Sequence, residues 1–190
     1  MPKLTVKRDI CLVLALAVIL LPLKWIFAWI IAICIHEAGH YLALRCFGIP
    51  VYGVHVGVSG VCMETAPVSG MKGITCILAG PLFGLLLLAF AKCFPLLAIF
   101  GFLQSVINLL PLYPLDGGRL LLCLLDRYPE HFCHRIAQII ERLTLMGVLL
   151  LGLYLTFVRL LGIIPFLAAL FLILRRKLSC KLYRQRVQYQ

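Results

Sequence analysis

The chain has 190 residues, of which 63% are hydrophobic and only 13% charged. So apolar a composition excludes an ordinary soluble domain and leaves a membrane protein with several spans. The net charge of +11 does not indicate nucleic acid, because the basic residues gather at the ends of apolar runs with no basic helix or aromatic platform beside them.

Lys3, Lys7 and Arg8 precede a first apolar run, residues 10–23, which passes straight into a second without the small-residue cleavage site of a secretory signal. Residues 25–46 make a full span at roughly 20 residues per crossing. Residues 48–67 change character. Val54, Val56 and Val58 alternate with His55, Gly57 and Ser59, the period of two of a small β-hairpin, with its turn at Ser59-Gly60. Residues 73–91 give a third span and residues 93–115 a fourth, which holds Gln104, Ser105 and Asn108. The mixed stretch 117–135 is expected at the membrane interface. Residues 136–157 and 160–174 give a fifth and a sixth span, the last short and containing Pro165.

The expected fold is therefore an all-α polytopic membrane protein, with about six transmembrane helices and a small β-hairpin after the second. It forms a single domain over residues 1–190, with its core at 25–120 and a basic tail at 175–190. Six spans put both termini on one side. Fifteen of the 18 Lys and Arg residues then fall on that side, with Lys24, Lys92 and Arg159 opposite, which makes it cytoplasmic in a multi-pass cell-membrane protein. A four-span version, with the two short runs re-entrant, has the same sidedness. The nine cysteines match no zinc ribbon and contain no CxxC. Cys11, Cys34, Cys76 and Cys93 lie in or beside apolar runs, and all are read as free thiols.

Within the second run, "CIHEAGHYLALR" (residues 34–45) places three ionisable groups in a lipid-soluble stretch. Each costs roughly 2.5–3.5 kcal/mol at mid-membrane depth, so it needs a partner or a role. His36 and His40 are four apart and project from one helix face. Two imidazoles so placed can hold zinc, with Glu37 beside them as general base, the logic of HExxH. A catalytic zinc wants a third protein ligand. Asp116, in "NLLPLYPLDGGR" (residues 108–119), is an oxygen donor of suitable hardness. Pro111 and Pro114 break the helix there and Gly117 and Gly118 free the backbone, so the segment unwinds and aims Asp116 inward. Alone, Asp116 would read as a helix cap. His131 and His134, with Cys133, form an HxxH cluster better read as surface histidines. His55 reads as a wet surface residue. The strand at 54–58 could take an extended substrate by edge addition, or be a purely structural hairpin.

These residues resemble a known family. His36-Glu37-Ala38-Gly39-His40 in one span, with Asn108, Pro111, Pro114 and Leu115-Asp116-Gly117-Gly118 in another, look like the site-2 protease family of intramembrane zinc metalloproteases. "AGPLFG" at 79–84 resembles that family's Gly-Pro motif, with Gly84 where many members carry Asn. The chain is most similar to the stage IV sporulation protein FB branch. The resemblance implies zinc on His36, His40 and Asp116, and Glu37 as general base. It gives Asn108 a role in orienting the scissile carbonyl, against the plainer reading of an interhelical hydrogen bond. It implies hydrolysis of membrane-tethered proteins near the cytoplasmic face, with a pro-sigma factor as the sporulation substrate. The expected partners are that substrate, the lipid bilayer and an inhibitory membrane protein, with no nucleic acid. The competing reading is a zinc-binding transporter or sensor, which needs the three ligands but not Glu37.

Overall fold

The structure, a computed structural model, describes residues 3–6, 11, 15, 17–19, 21–57, 60–126, 128–157 and 170. The chain divides into two compact units, residues 1–109 and 110–190. The first unit contains β1 (Lys3–Val6), α1 (Leu23–Cys46), β2 (Val51–Gly57), β3 (Gly60–Thr65), α2 (Gly70–Leu86), a 3-10 turn at Leu87–Phe90 and α3 (Pro95–Asn108). The second contains α4 (Asp116–Leu125) and α5 (Glu130–Phe157).

Prolines and glycines set the helix limits. Pro22 caps α1 and Pro95 opens α3, both positions where a missing N–H costs nothing. At the far end of α1, Gly48 takes a positive φ of 67°. Its N–H donates to the Arg45 carbonyl at 3.0 Å and that of Ile49 to Leu44 at 2.9 Å, the paired bonds of a Schellman ending. The chain is thereby turned into β2 within four residues.

Among the described residues, three helices are long and apolar enough to cross a membrane: α1, α2 with its 3-10 extension, and α5 from His131. At 1.5 Å per residue, the 24 residues of α1 reach about 36 Å, more than a hydrocarbon core. Their outer faces carry exposed Phe27, Ile30, Ile31 and Leu42 on α1, and Leu143, Met146, Leu150 and Leu151 on α5. In water such faces would drive aggregation; in lipid they are solvated.

The expected spans are met only in part. Where residues 93–115 were read as one span, α3 has 14 residues and residues 109–115 are irregular. The cause is local: Pro111 and Pro114 withhold N–H donors from any continuing helix. Residues 10, 12–14, 16 and 20 of the expected first span, the expected sixth span except residue 170, and the basic tail lie outside the described residues, as do Lys7, Arg8 and Ser59.

The hairpin at β2 and β3 forms, antiparallel, with Val56 opposite Val61 and Gly57 opposite Gly60. Gly60, expected in the turn, already belongs to β3. The sheet has a third strand that the expectation lacks. β1 pairs with β2 in parallel, with Thr5 opposite His55, so the order is β1-β2-β3. This corrects the idea that a substrate strand adds to residues 54–58 in the structure as it stands, because β2 is hydrogen-bonded on both edges. His55, expected as a wet surface residue, is partly exposed and also ties the sheet together. Its Nδ1 lies 2.6 Å from Thr5 Oγ1 and its Nε2 2.9 Å from Glu64 Oε1.

In the first unit, α1, α2 and α3 pack on one another through glycines. A Cβ at Gly39 would stand 2.6 Å from the Ala79 carbonyl oxygen, and one at Gly101 would stand 2.7 Å from the Gly84 oxygen. Lipid gives helices no hydrophobic reason to associate, so close backbone approach and interhelical hydrogen bonds carry the packing. Ser105, fully buried, lies with its hydroxyl 2.9 Å from the Pro81 carbonyl across α2 and α3. Replacing Gly101 by Val overfills this crossing and should lower the unfolding free energy in detergent by about 1–3 kcal/mol. Ser105→Ala removes only a hydroxyl and should cost about 1 kcal/mol or less. Equal losses in the two denaturation curves would contradict the close-packing account.

Candidate metal centre

Residues 36 and 40 are one helical turn apart on α1, and their imidazoles stand side by side. The ring centroids are 5.0 Å apart and the planes meet at 80°. His36 is 1% exposed. The tight approach of α1 to α2 leaves His36 buried and His40 half-buried on one helix face. Gly39, between them in sequence, lets the α1 backbone come against Ala79 and the ring of Phe83.

Each imidazole has a fixed neighbour within the first unit. His40 Nδ1 lies 2.8 Å from the carbonyl oxygen of Cys76. A carbonyl only accepts, so Nδ1 carries the hydrogen and Nε2 keeps its lone pair in the neutral ring. A backbone carbonyl on one ring nitrogen is the usual way a metal-binding histidine is oriented. His36 Nε2 lies 3.1 Å from Asn108 Nδ2, at the last turn of α3. The amide donates to the ring, so the interhelical bond expected as the plainer role of Asn108 is formed. Glu37 follows His36 on α1 and is partly buried.

In the second unit, Asp116 is the first residue of α4 and is 8% exposed. The irregular segment before it folds back on the helix start. Leu115 N–H donates to Leu112 at 2.7 Å, and Arg119 N–H to Leu115 at 3.1 Å. Gly118 permits this, since a Cβ there would sit 2.5 Å from the Leu112 carbonyl carbon and the Tyr113 nitrogen. The expected unwinding around Pro111 and Pro114 is therefore present, and Gly118 is the residue that makes room for it.

His36, His40 and Asp116 each offer one ligand atom, and these atoms lie within 4.8 Å of one another. They could hold a metal ion. Two imidazole nitrogens and a carboxylate oxygen are the donor set of a catalytic zinc with one position left for water.

Three contributors escaped the reading of the sequence: the Cys76 carbonyl, the side-chain-free surface of Gly80, and Ser105. The Gly-Pro stretch did contain their signal. Gly80 and Gly84 are four residues apart in an apolar helix, the small-xxx-small spacing of a close helix crossing. Gly84 has a packing role, since a Cβ there would strike Ser105 Oγ. His131 is exposed, and the side chain of His134 lies outside the described residues.

Asn108→Ala removes the bond to His36 and should destabilise the metal-free protein by about 0.5–1.5 kcal/mol in detergent unfolding. No change would mean that the bond is not made.

The fold is similar to that of the site-2 protease from Methanocaldococcus jannaschii, with a TM-score of 0.65 at 18% sequence identity, over 93% of this chain and 91% of that one. No protein-family model matches the chain, and no curated protein matches it. At that identity the likeness establishes a shared fold.

Proposed function

We propose that this chain is an intramembrane zinc metalloprotease that hydrolyses peptide bonds of membrane-tethered proteins. The observation that carries the reading is the His36, His40 and Asp116 group, with Glu37 on the same helix. The site-2 protease fold likeness supports it. Zinc on these three residues would lower the pKa of a bound water toward neutrality and polarise a scissile carbonyl. Beside such a metal Glu37 would serve as general base toward the attacking water and as general acid toward the leaving amine. Its place in sequence between the two histidines keeps it at the site without making it a ligand. Asn108 donates to His36 Nε2 in the metal-free protein; a metal on that ring takes its one lone pair, which frees the amide to orient the carbonyl. Peptide bonds in a helix are shielded, so a transmembrane substrate must unwind before cleavage.

The finer assignments rest on the sequence. The basic residues argue for a cell-membrane protein with cytoplasmic termini and for cleavage near the cytoplasmic face. An HExxH in the second apolar run, with its paired LDGG motif, favours the stage IV sporulation protein FB branch and a pro-sigma factor as substrate. An inhibitory membrane protein would then be the regulator.

The test pairs metal content with cleavage. Wild type and Glu37→Gln, purified in detergent, should each carry zinc near one per chain. Only wild type should cleave a co-expressed membrane-tethered pro-sigma substrate. His40→Ala and Asp116→Ala should lose both zinc and cleavage. A Glu37→Gln variant that keeps full function would identify a transporter or sensor, and a wild type without zinc would end the metalloprotease reading.

A further inference from the structure

We propose that Gly80 is a positioning residue for His40. The absent side chain at 80 is the space in which the face of the imidazole stands at Nε2, and the Cys76 carbonyl one turn earlier holds Nδ1, the other ring nitrogen. The inference rests on the metalloprotease reading above and concerns how this chain presents one of its ligands.

The geometry runs through a single helix turn of α2. His40 Nδ1 donates to the Cys76 oxygen at 2.8 Å, which leaves Nε2 as the nitrogen able to bind a metal. A Cβ built on Gly80 meets the same ring first at Nε2, then at Cε1 at 2.5 Å and Cδ2 at 2.6 Å. Nearly equal distances to the two carbons flanking Nε2 place that methyl group over the face of the ring, so it would press on the face at Nε2 and push that nitrogen out of position. The ring cannot simply swing aside, because its Nδ1 is held by the carbonyl. Nor can α2 easily slide away. The next residue, Pro81, is fully buried, and its carbonyl lies 2.9 Å from the Ser105 hydroxyl of α3. A Cβ on Gly84 would meet Ser105 and the Gly101 carbonyl, with no part of either histidine among its nearest neighbours.

That contrast supplies the control. Gly80→Ala and Gly84→Ala add the same methyl group to the same helix, one against His40 and the other against Ser105. Both should lower the unfolding midpoint of the metal-free protein. Only Gly80→Ala should weaken zinc binding, by about 10- to 100-fold in a chelator competition, and alter the visible absorption of the cobalt-substituted protein. Gly84→Ala should keep the wild-type affinity and cobalt spectrum. Wild-type affinity in Gly80→Ala, or an equal loss in Gly84→Ala, would overturn the proposal. If Gly80→Ala does not fold, nitrogen NMR of zinc-free wild type decides: His40 in the Nδ1–H tautomer supports the proposal, and the Nε2–H tautomer overturns it. A wild type that binds no zinc fails in a different way, since it removes the metal centre itself.

Discussion

The approach of α1 to α2 at Gly39 and Gly80 is the constraint on which the first unit turns. In lipid, two apolar helices gain little from touching, because the acyl chains they displace are equally apolar. Association then depends on how close the backbones can come and on the polar groups that meet when they do. Gly39 admits the Ala79 carbonyl and Gly80 admits an imidazole. The same crossing that holds the helices together therefore buries the polar face of α1, and His40 spans it with a hydrogen bond to Cys76.

Structural and chemical roles coincide at this crossing. A polar side chain in a membrane span is costly unless its hydrogen-bonding capacity is met by the protein. His36 meets Asn108 on α3, and His40 meets a backbone carbonyl on α2. Each bond joins α1 to a neighbouring helix and at the same time fixes a ring orientation. Ser105 does comparable work between α2 and α3 without belonging to the metal group. The apolar surface of these helices can face lipid while His36, His40 and Ser105 find their partners between the helices.

The three-stranded sheet follows the C-terminal end of α1, where the Schellman ending at Gly48 turns the chain. Its register joins residues far apart in sequence, with Thr5, His55 and Glu64 linked through the imidazole of His55. The central strand, β2, has no open edge. An extended peptide that engaged this sheet would have to use an outer strand or replace one.

Several features were legible in the sequence because they depend on spacing alone. The 3.6-residue period puts His36 and His40 on one face whatever surrounds them. The length of apolar runs marks α1, α2 and α5, and alternation over 51–65 marks the hairpin. The helix break before Asp116 follows from Pro111 and Pro114, which lack an N–H in any context. What tertiary structure decided are the matters of approach and partnership. Residues 3–6 read as a charged flank, since four residues carry too little pattern, and become a strand only because β2 offers a partner. The span expected over 93–115 shortened once the prolines ended α3 at Asn108. The spacing of Gly80 and Gly84 signals a close helix crossing, but not which side chains meet there. Their roles arise from distances between helices, and no local periodicity encodes those distances.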